Sequence, residues 1–319
     1  MKFIQQAYKG DNEWTAYLVT IMLLIFGWQI IGIIPLSIVA YLHAGDIETL
    51  MLAASSNFMG LGINANLYLF LVITTFLFGL LFLFLGIKFI HKRKIVTLIT
   101  SREKVDWERF FYAFSVWALV GCFMIAVGYF MAPEDFVWNF KPVPFFALLL
   151  ISFLFLPLQT SMEELLFRGY LMQGFGTWFK NSFVALILTS VIFGLLHGLN
   201  PEVEKLGWFI MVYYIGTGLL LGIFTLMDEG TELALGFHAA NNLVAAVLVT
   251  ANWTVFQTDA LLVDISEPYI DWEMFVPVFV LYPLILLLFS NKYGWTNWKE
   301  KLFGRVFKPL EFKEEEFIA

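Results

Sequence analysis

Long runs of apolar residues, separated by short polar segments, dominate this chain. A helix needs about 20 residues to cross ~30 Å of hydrocarbon, and eight stretches come close to that length or exceed it. They run approximately from Trp14 to Leu42, Leu67 to Ile87, Phe110 to Met131, Phe145 to Phe167, Ser182 to Leu199, Trp208 to Leu226, Leu233 to Ala251 and Met274 to Phe289. The pattern predicts an all-α integral membrane protein with about eight transmembrane helices.

Composition agrees with this interpretation. Hydrophobic residues make up 60% of the 319 positions and charged residues only 14%, whereas soluble domains are roughly half apolar and a quarter charged. The first apolar run is too long for the core of a signal peptide and has no small-residue cleavage pattern, so we expect it to remain as a helix. The net charge of −7 indicates no nucleic-acid partner. The partner that the composition does predict is the lipid bilayer.

Lysine and arginine are distributed unequally between the two sides of the membrane. If the N-terminus is inside, 17 of the 19 basic residues fall in inside segments, and only Lys141 and Lys205 fall outside. Basic residues are retained on the cytoplasmic side. We therefore expect a multi-pass protein of the inner or plasma membrane with both termini in the cytoplasm. A missed span would have scrambled the asymmetry, so it also supports the count of eight.

A few ionisable and amide side chains interrupt the predicted spans. A charge at the bilayer centre costs at least ~2.5 kcal/mol, so such residues are candidates for function. They occur at the end of the fourth span, near the end of the fifth and in the seventh: Glu163, Glu164, Arg168, His197, His238, Asn241 and Asn242.

Helical spacing sorts these residues into faces. Glu164 and Arg168 are four apart with the acid first, the better order for an ion pair within one helix. Glu163 is rotated by about 100° from Glu164, so it points elsewhere. His238 and Asn242 are also four apart and share a face.

The fourth and fifth spans form a predicted antiparallel hairpin with its polar turn near position 180. Glu163 and His197 lie symmetrically about that turn, each ~20 to 25 Å from it, so we expect them to face each other. His238 lies ~8 Å from the cytoplasmic end of the seventh span. The spacing therefore predicts a site in the cytoplasmic half of the helical bundle, in a cavity open to the cytoplasmic side.

These groups suit the hydrolysis of an amide bond. A carboxylate that faces an imidazole can activate a water molecule as general base, and His238 with Asn242 can donate to an oxyanion that develops on the attacked carbonyl. No serine or cysteine is placed among them as a nucleophile. Attack by water is therefore the mechanism that the residues favour.

Three segments carry a resemblance to a known family. In order and spacing, "EELLFR", "FGLLH" and "HAANN" resemble the motifs of the CAAX protease and bacteriocin-processing enzyme family, also called the Abi family. The resemblance covers roughly Phe145 to Ala251. It implies an intramembrane endopeptidase similar to the Ras-converting type, which removes the last three residues of a prenylated C-terminal motif.

The resemblance also implies a role for each residue. Glu163 would activate water with His197, Glu164 and Arg168 would support the site, and His238 with Asn242 would stabilise the oxyanion. The predicted substrate is a peptide or a lipidated protein. We divide the chain into three N-terminal spans (1–142), a protease core (143–252), and the last span with a cytoplasmic tail (253–319).

Metal dependence and two other functions remain open. The sequence has no "HExxH" motif or other paired-histidine ligand spacing on one helix, so we favour a mechanism without cofactor or metal. If zinc is bound, its ligands are expected to be Glu163, His197 and His238. The functional alternatives are a catalytically silent immunity or scaffold protein of the same fold and, less favoured, a proton-coupled transporter, which needs polar groups that continue to the outer face.

The orientation can be tested with a reporter that is active only in the cytoplasm. Fused to the C-terminal tail, the reporter should be active, because the basic residues place that tail inside. A full-length fusion that is expressed but silent would contradict the arrangement of eight spans with both ends in the cytoplasm.

Overall fold

The computed structural model describes residues 1–54, 57–270 and 272–309. Within these ranges seven helices are long and apolar enough to cross a membrane, and an eighth apolar helix is shorter. We number them α1 (Trp14–Ala44), α2 (Ala65–Ile90), α3 (Trp107–Met131), α4 (Pro142–Trp178), α5 (Ser182–Leu199), α6 (Pro201–Asp228), α7 (Glu232–Leu248) and α8 (Trp272–Tyr293). The protein is therefore an all-α integral membrane protein, as its hydropathy pattern predicts.

Short elements lie at the two ends of the bundle. They are the 3₁₀ helices Ile4–Lys9 and Pro133–Asp135, the helices Ile47–Ala54, Val96–Ile99 and Trp298–Phe303, and the strands β1 (Phe136–Trp138), β2 (Val249–Thr250) and β3 (Leu262–Asp264). The three strands form a small sheet in the order β1-β3-β2, in which β3 is antiparallel to β1 and parallel to β2. The sequence did not indicate this sheet. Residues 310–319 of the predicted tail lie outside the described residues.

Helix α4 is longer than the hydropathy pattern predicts. It continues past Phe167 to Trp178, because Tyr170 and Gln173 are fully buried in the protein rather than exposed to water. A π-helical turn, Leu165–Leu171, interrupts it directly after the two glutamates. Such turns are frequent at functional sites because they re-aim side chains on an otherwise regular helix.

Helix α7 packs against α3, α4 and α6. The α3–α7 contact is close because Gly236 has no side chain: a Cβ there would lie 2.1 Å from the carbonyl oxygen of Phe110. Gly218 on α6 permits a similar approach to α5, where a Cβ would lie 2.9 Å from the carbonyl oxygen of Ser190. Small residues at membrane-helix contacts let the backbones approach in this way.

Ion pairs hold the turn between α6 and α7. Arg102 lies 2.9 Å from Asp228 and 3.2 Å from Glu232, and Arg109 on α3 lies 2.9 Å from Asp228. Both acids are buried, so each is paired where water is scarce. This network fixes the start of α7.

The segment after α2 packs on the inner end of α4. The imidazole of His91 lies between the carbonyl of Asp11 (2.6 Å) and the hydroxyl of Tyr170 (2.8 Å). Burial lowers the pKa of His91 to about 4, so the ring is neutral near pH 7. Its neighbour Arg93 is buried and donates to Gln173 at 2.6 Å, which ties this segment to α4.

Candidate active site

A cavity of about 430 Å³ lies between helices α1, α2, α4, α5, α6 and α7. One wall is apolar and includes Trp28, Ile73 and Phe76 from α1 and α2. The other wall is polar, and its side chains are Gln159, Glu163, His197, Asn200, Glu202, Tyr213, Tyr214, Thr217, His238, Asn241 and Asn242. The structure thus gathers Glu163, His197, His238 and Asn242 around one space.

Glu164 and Arg168 form an ion pair behind this wall. Their side chains are fully buried, and Arg168 Nη1 lies 2.8 Å from Glu164 Oε1. Arg168 also donates to the carbonyl of Gly218 on α6 at 3.3 Å, and its guanidinium lies 4.2 Å from the ring centroid of Phe193 on α5. The pair that the four-residue spacing predicts therefore holds three helices together.

His238 lies between the two adjacent glutamates. Its Nδ1 is 2.7 Å from Glu164 Oε1, and its Nε2 is 3.5 Å from Glu163 Oε2. Since an ionised carboxylate only accepts hydrogen bonds, Nδ1 must carry the proton. In the neutral ring Nε2 then has its lone pair toward Glu163, so the Glu164 contact sets the tautomer that faces the cavity.

A chain of amide hydrogen bonds holds the other oxygen of Glu163. Trp117 donates to Asn241 at 3.1 Å, Asn241 donates to Asn242 at 3.2 Å, and Asn242 donates to Gln159 at 3.1 Å. Gln159 then donates to Glu163 Oε1 at 2.7 Å. Because every donor points along the same direction, the chain orients Glu163 and leaves its Oε2 for His238.

His197 lines the cavity but is not the group that the structure pairs with Glu163. Its Nδ1 is bonded to the carbonyl of Phe193 at 2.8 Å, and its ring stacks on Tyr214 with centroids 4.6 Å apart. The imidazole in direct contact with Glu163 is that of His238, whereas water activation by Glu163 together with His197 stays a prediction, since both side chains line the cavity. Equal heights in a helical hairpin do not fix how each helix is rotated about its own axis. In addition, the regular part of α5 ends at Leu196, and His197 begins a separate 3₁₀ turn, His197–Leu199.

The connecting segments that line the cavity lie at one end of the bundle. Asn200 and Glu202 belong to the α5–α6 junction, and Val255 and Phe256 to the segment after β2. The count of basic residues assigns both segments to the outer side. In the predicted orientation the cavity therefore extends from the level of Glu163 toward the outer side, and its opening to the cytoplasmic side stays a prediction.

Sequence reasoning missed three acidic or amide groups in this cavity, Gln159, Asn200 and Glu202. Gln159 lies four residues before Glu163 on the same helix face, so the spacing rule that paired Glu164 with Arg168 could have found it. Glu202 follows Asn200 and Pro201 in what reads as an external loop. No periodic signal marks it, because its burial comes from the segment around Val255 that folds over it.

The donor set can also be compared with the needs of a metal. Within the described ranges, no group of three or more histidine, cysteine, aspartate or glutamate side chains is arranged to hold a metal ion. Glu164 Oε1 already accepts contacts from Arg168 and His238. The alternative zinc set of Glu163, His197 and His238 shares the cavity without forming such a group.

The two adjacent glutamates should differ in their effect on stability. Glu164→Gln removes the charge that balances fully buried Arg168, and loss of one partner of a buried pair costs ~3 to 5 kcal/mol. Glu163→Gln keeps an oxygen that can accept the hydrogen bond from Gln159, and it leaves no cation unpaired. The thermal unfolding temperature of this variant in detergent should therefore stay near that of the unmodified protein. Equal losses in the two variants would show that the two acids are not divided in this way.

Comparisons with known proteins identify the family of this chain. The Rce1-like family, described as "Type II CAAX prenyl endopeptidase Rce1-like", matches residues 142–244, a range that contains all six predicted site residues. The uncharacterized protein YyaK of Bacillus subtilis (strain 168) is 30% identical over 237 residues, which cover 74% of this chain and 77% of the relative. No solved structure gives a significant match. This chain therefore belongs to the Rce1-like family of CAAX-type membrane endopeptidases.

Proposed function

We propose that the protein hydrolyses a peptide bond within the membrane by attack of a water molecule that Glu163 and His238 activate. The observation that carries the proposal is the geometry of His238, whose Nε2 faces Glu163 Oε2 at 3.5 Å while Glu164 holds Nδ1 at 2.7 Å. A general base must lie within reach of the proton that it takes. Both Glu163 and His238 line the cavity where water and peptide would meet.

In the proposed reaction, Glu163 Oε2 accepts a proton from water as the water oxygen attacks the carbonyl carbon. The proton is shared with His238 Nε2 and then passes to the leaving amine as the C–N bond breaks. Glu164 stabilises His238 when the ring is charged, as a buried carboxylate does for a catalytic imidazole. Arg168 holds the Glu164 side chain in place through their ion pair.

Asn242 and His197 are the proposed donors to the oxyanion. The amide nitrogen of Asn242 carries two hydrogens, and only one is needed for the bond to Gln159. His197 Nε2 faces the same cavity and donates when the ring is protonated. This assignment keeps Asn242 in its predicted role and exchanges those of the two histidines, because His238 is the ring that touches both glutamates.

The substrates we propose are lipidated or strongly apolar peptides. The apolar wall formed by Trp28, Ile73 and Phe76 suits a hydrocarbon chain or apolar side chains beside the scissile bond. A protein with a prenylated CAAX-type C-terminus and a bacteriocin-like precursor peptide both meet this description. Family membership favours the first, since the family is named for CAAX prenyl endopeptidases.

The other functions are less well supported. A transporter needs polar groups toward the outer face, and Asn200 and Glu202 do line that end of the cavity. The family to which this chain belongs, however, is one of endopeptidases. A silent scaffold would tolerate damage to the motifs. Here His238 contacts both Glu163 and Glu164. Hydrolysis requires such contacts between an imidazole and carboxylates, and a scaffold does not.

The purified full chain in lipid vesicles should cleave a farnesylated C-terminal peptide, detected by mass spectrometry. Glu163→Gln should lower the rate by at least ~10² because it removes the general base. Glu103→Gln, an exposed change of the same kind, should leave the rate unchanged. The same peptide without the farnesyl group shows whether the lipid is needed, and full activity of Glu163→Gln would reject the mechanism.

Hydrolysis should persist after exhaustive dialysis against a strong chelator, because a Glu and His pair activates water without a metal. Elemental analysis of the purified protein should then find far less than one metal ion per chain. Stoichiometric zinc that is lost together with activity, with both restored by added zinc, would replace this mechanism with a metal-dependent one and would leave the peptidase assignment intact.

A further inference from the structure

Glu202 is a buried acid in the cavity wall that the proposed chemistry does not use. It lies in the first turn of α6, and only 9% of the residue is exposed. Its Oε1 accepts a hydrogen bond from the backbone N–H of Val255 at 2.8 Å. Its Oε2 is buried and has no hydrogen-bond partner among the described residues.

The cavity offers Glu202 no cation. None of the side chains that line it is lysine or arginine, and Arg168 behind the cavity wall is already paired with Glu164. Among the described residues no lysine, arginine or histidine side chain forms an ion pair with Glu202. An ionised carboxylate withdrawn from water is costly unless a cation or several donors accompany it, so a positive charge beside Oε2 would stabilise the ionised form of this acid.

A purely structural role explains only half of the side chain. The bond to Val255 holds the segment after β2 over the cavity, and Oε1 alone makes it. Orientation of His197 is also accounted for without Glu202, since Phe193 and Tyr214 fix that ring. An amide at position 202 could serve both purposes, so the charge itself calls for another explanation.

We propose that Glu202 binds a positively charged group of the substrate, either a lysine or arginine side chain or the N-terminal ammonium. The inference rests on the proposed peptidase function and adds a specificity site to it. Glu163 and Glu202 both line one cavity, so a peptide whose scissile carbonyl reaches Glu163 can place a cationic group at the α5–α6 end. A hydrogen-bonded charge pair in such a site favours that peptide over an uncharged analogue.

The test begins with the unmodified protein in detergent and a proteome-derived peptide library. Mass spectrometry of the products should show lysine or arginine, or a free N-terminus, at a fixed distance from the cleaved bonds. The best peptides are then resynthesised with norleucine in place of lysine, or with an acetylated N-terminus. Whichever change removes the recognised charge should lower kcat/KM at least about tenfold, and this identifies the source of the cation.

Two variants assign the preference to Glu202. Glu202→Gln keeps the size and the oxygen that accepts from Val255 but loses the charge, so it should cleave charged and uncharged peptides within about twofold of each other. Glu204→Gln is the same chemical change on an exposed residue two positions along, and it should keep the tenfold preference. Thermal unfolding of each variant shows whether its fold is retained.

The outcomes separate this inference from the function beneath it. Cleavage by the unmodified protein without any preference for a charged peptide would overturn the specificity site and leave the peptidase standing. A preference that persists in Glu202→Gln would overturn the assignment to this residue. Failure of the unmodified protein to cleave any library peptide or farnesylated peptide would reject the proposed function itself.

Discussion

The fully buried ion pair between Glu164 and Arg168 is the interaction on which the site depends. Two charges inside a membrane protein are tolerated only when each is paired and hydrogen-bonded. Glu164 meets this condition through Arg168 and His238, and Arg168 through Glu164, Gly218 and the face of Phe193. Helices α4, α5, α6 and α7 therefore meet at one point, and the position of His238 follows from it.

The same constraint gives two neighbouring glutamates different tasks. The helix turns Glu164 into the protein and Glu163 toward the cavity. Glu163 receives its orientation from uncharged partners, through the amide chain that ends at Gln159. Its second oxygen consequently keeps access to His238 and to the cavity, which is what a base for water needs and what a carboxylate locked by arginine cannot provide.

The ends of the bundle support this arrangement in different ways. On the side of the α6–α7 turn, Arg102 and Arg109 pair with Asp228 and Glu232, so α7 starts at a fixed position and carries His238 to the right depth. At the other end Val255 and Phe256, in the segment after β2, line the cavity. The ion pairs that fix the start of α7 thus lie at one end of the bundle, and the part of the cavity wall that is proposed to select a substrate lies at the other.

The sequence by itself determined the membrane helices, the Glu164–Arg168 pair and four residues of the cavity wall, namely Glu163, His197, His238 and Asn242, because hydropathy and helical spacing are local properties of the chain. Only the tertiary structure decided that His238 lies between the two glutamates, since that depends on how α4 and α7 rotate against each other. It also decided the length of α4 and the burial of Glu202. The length of α4 and the burial of Glu202 both depend on contacts with segments that are distant in the sequence, and hydrophobic periodicity does not predict such contacts.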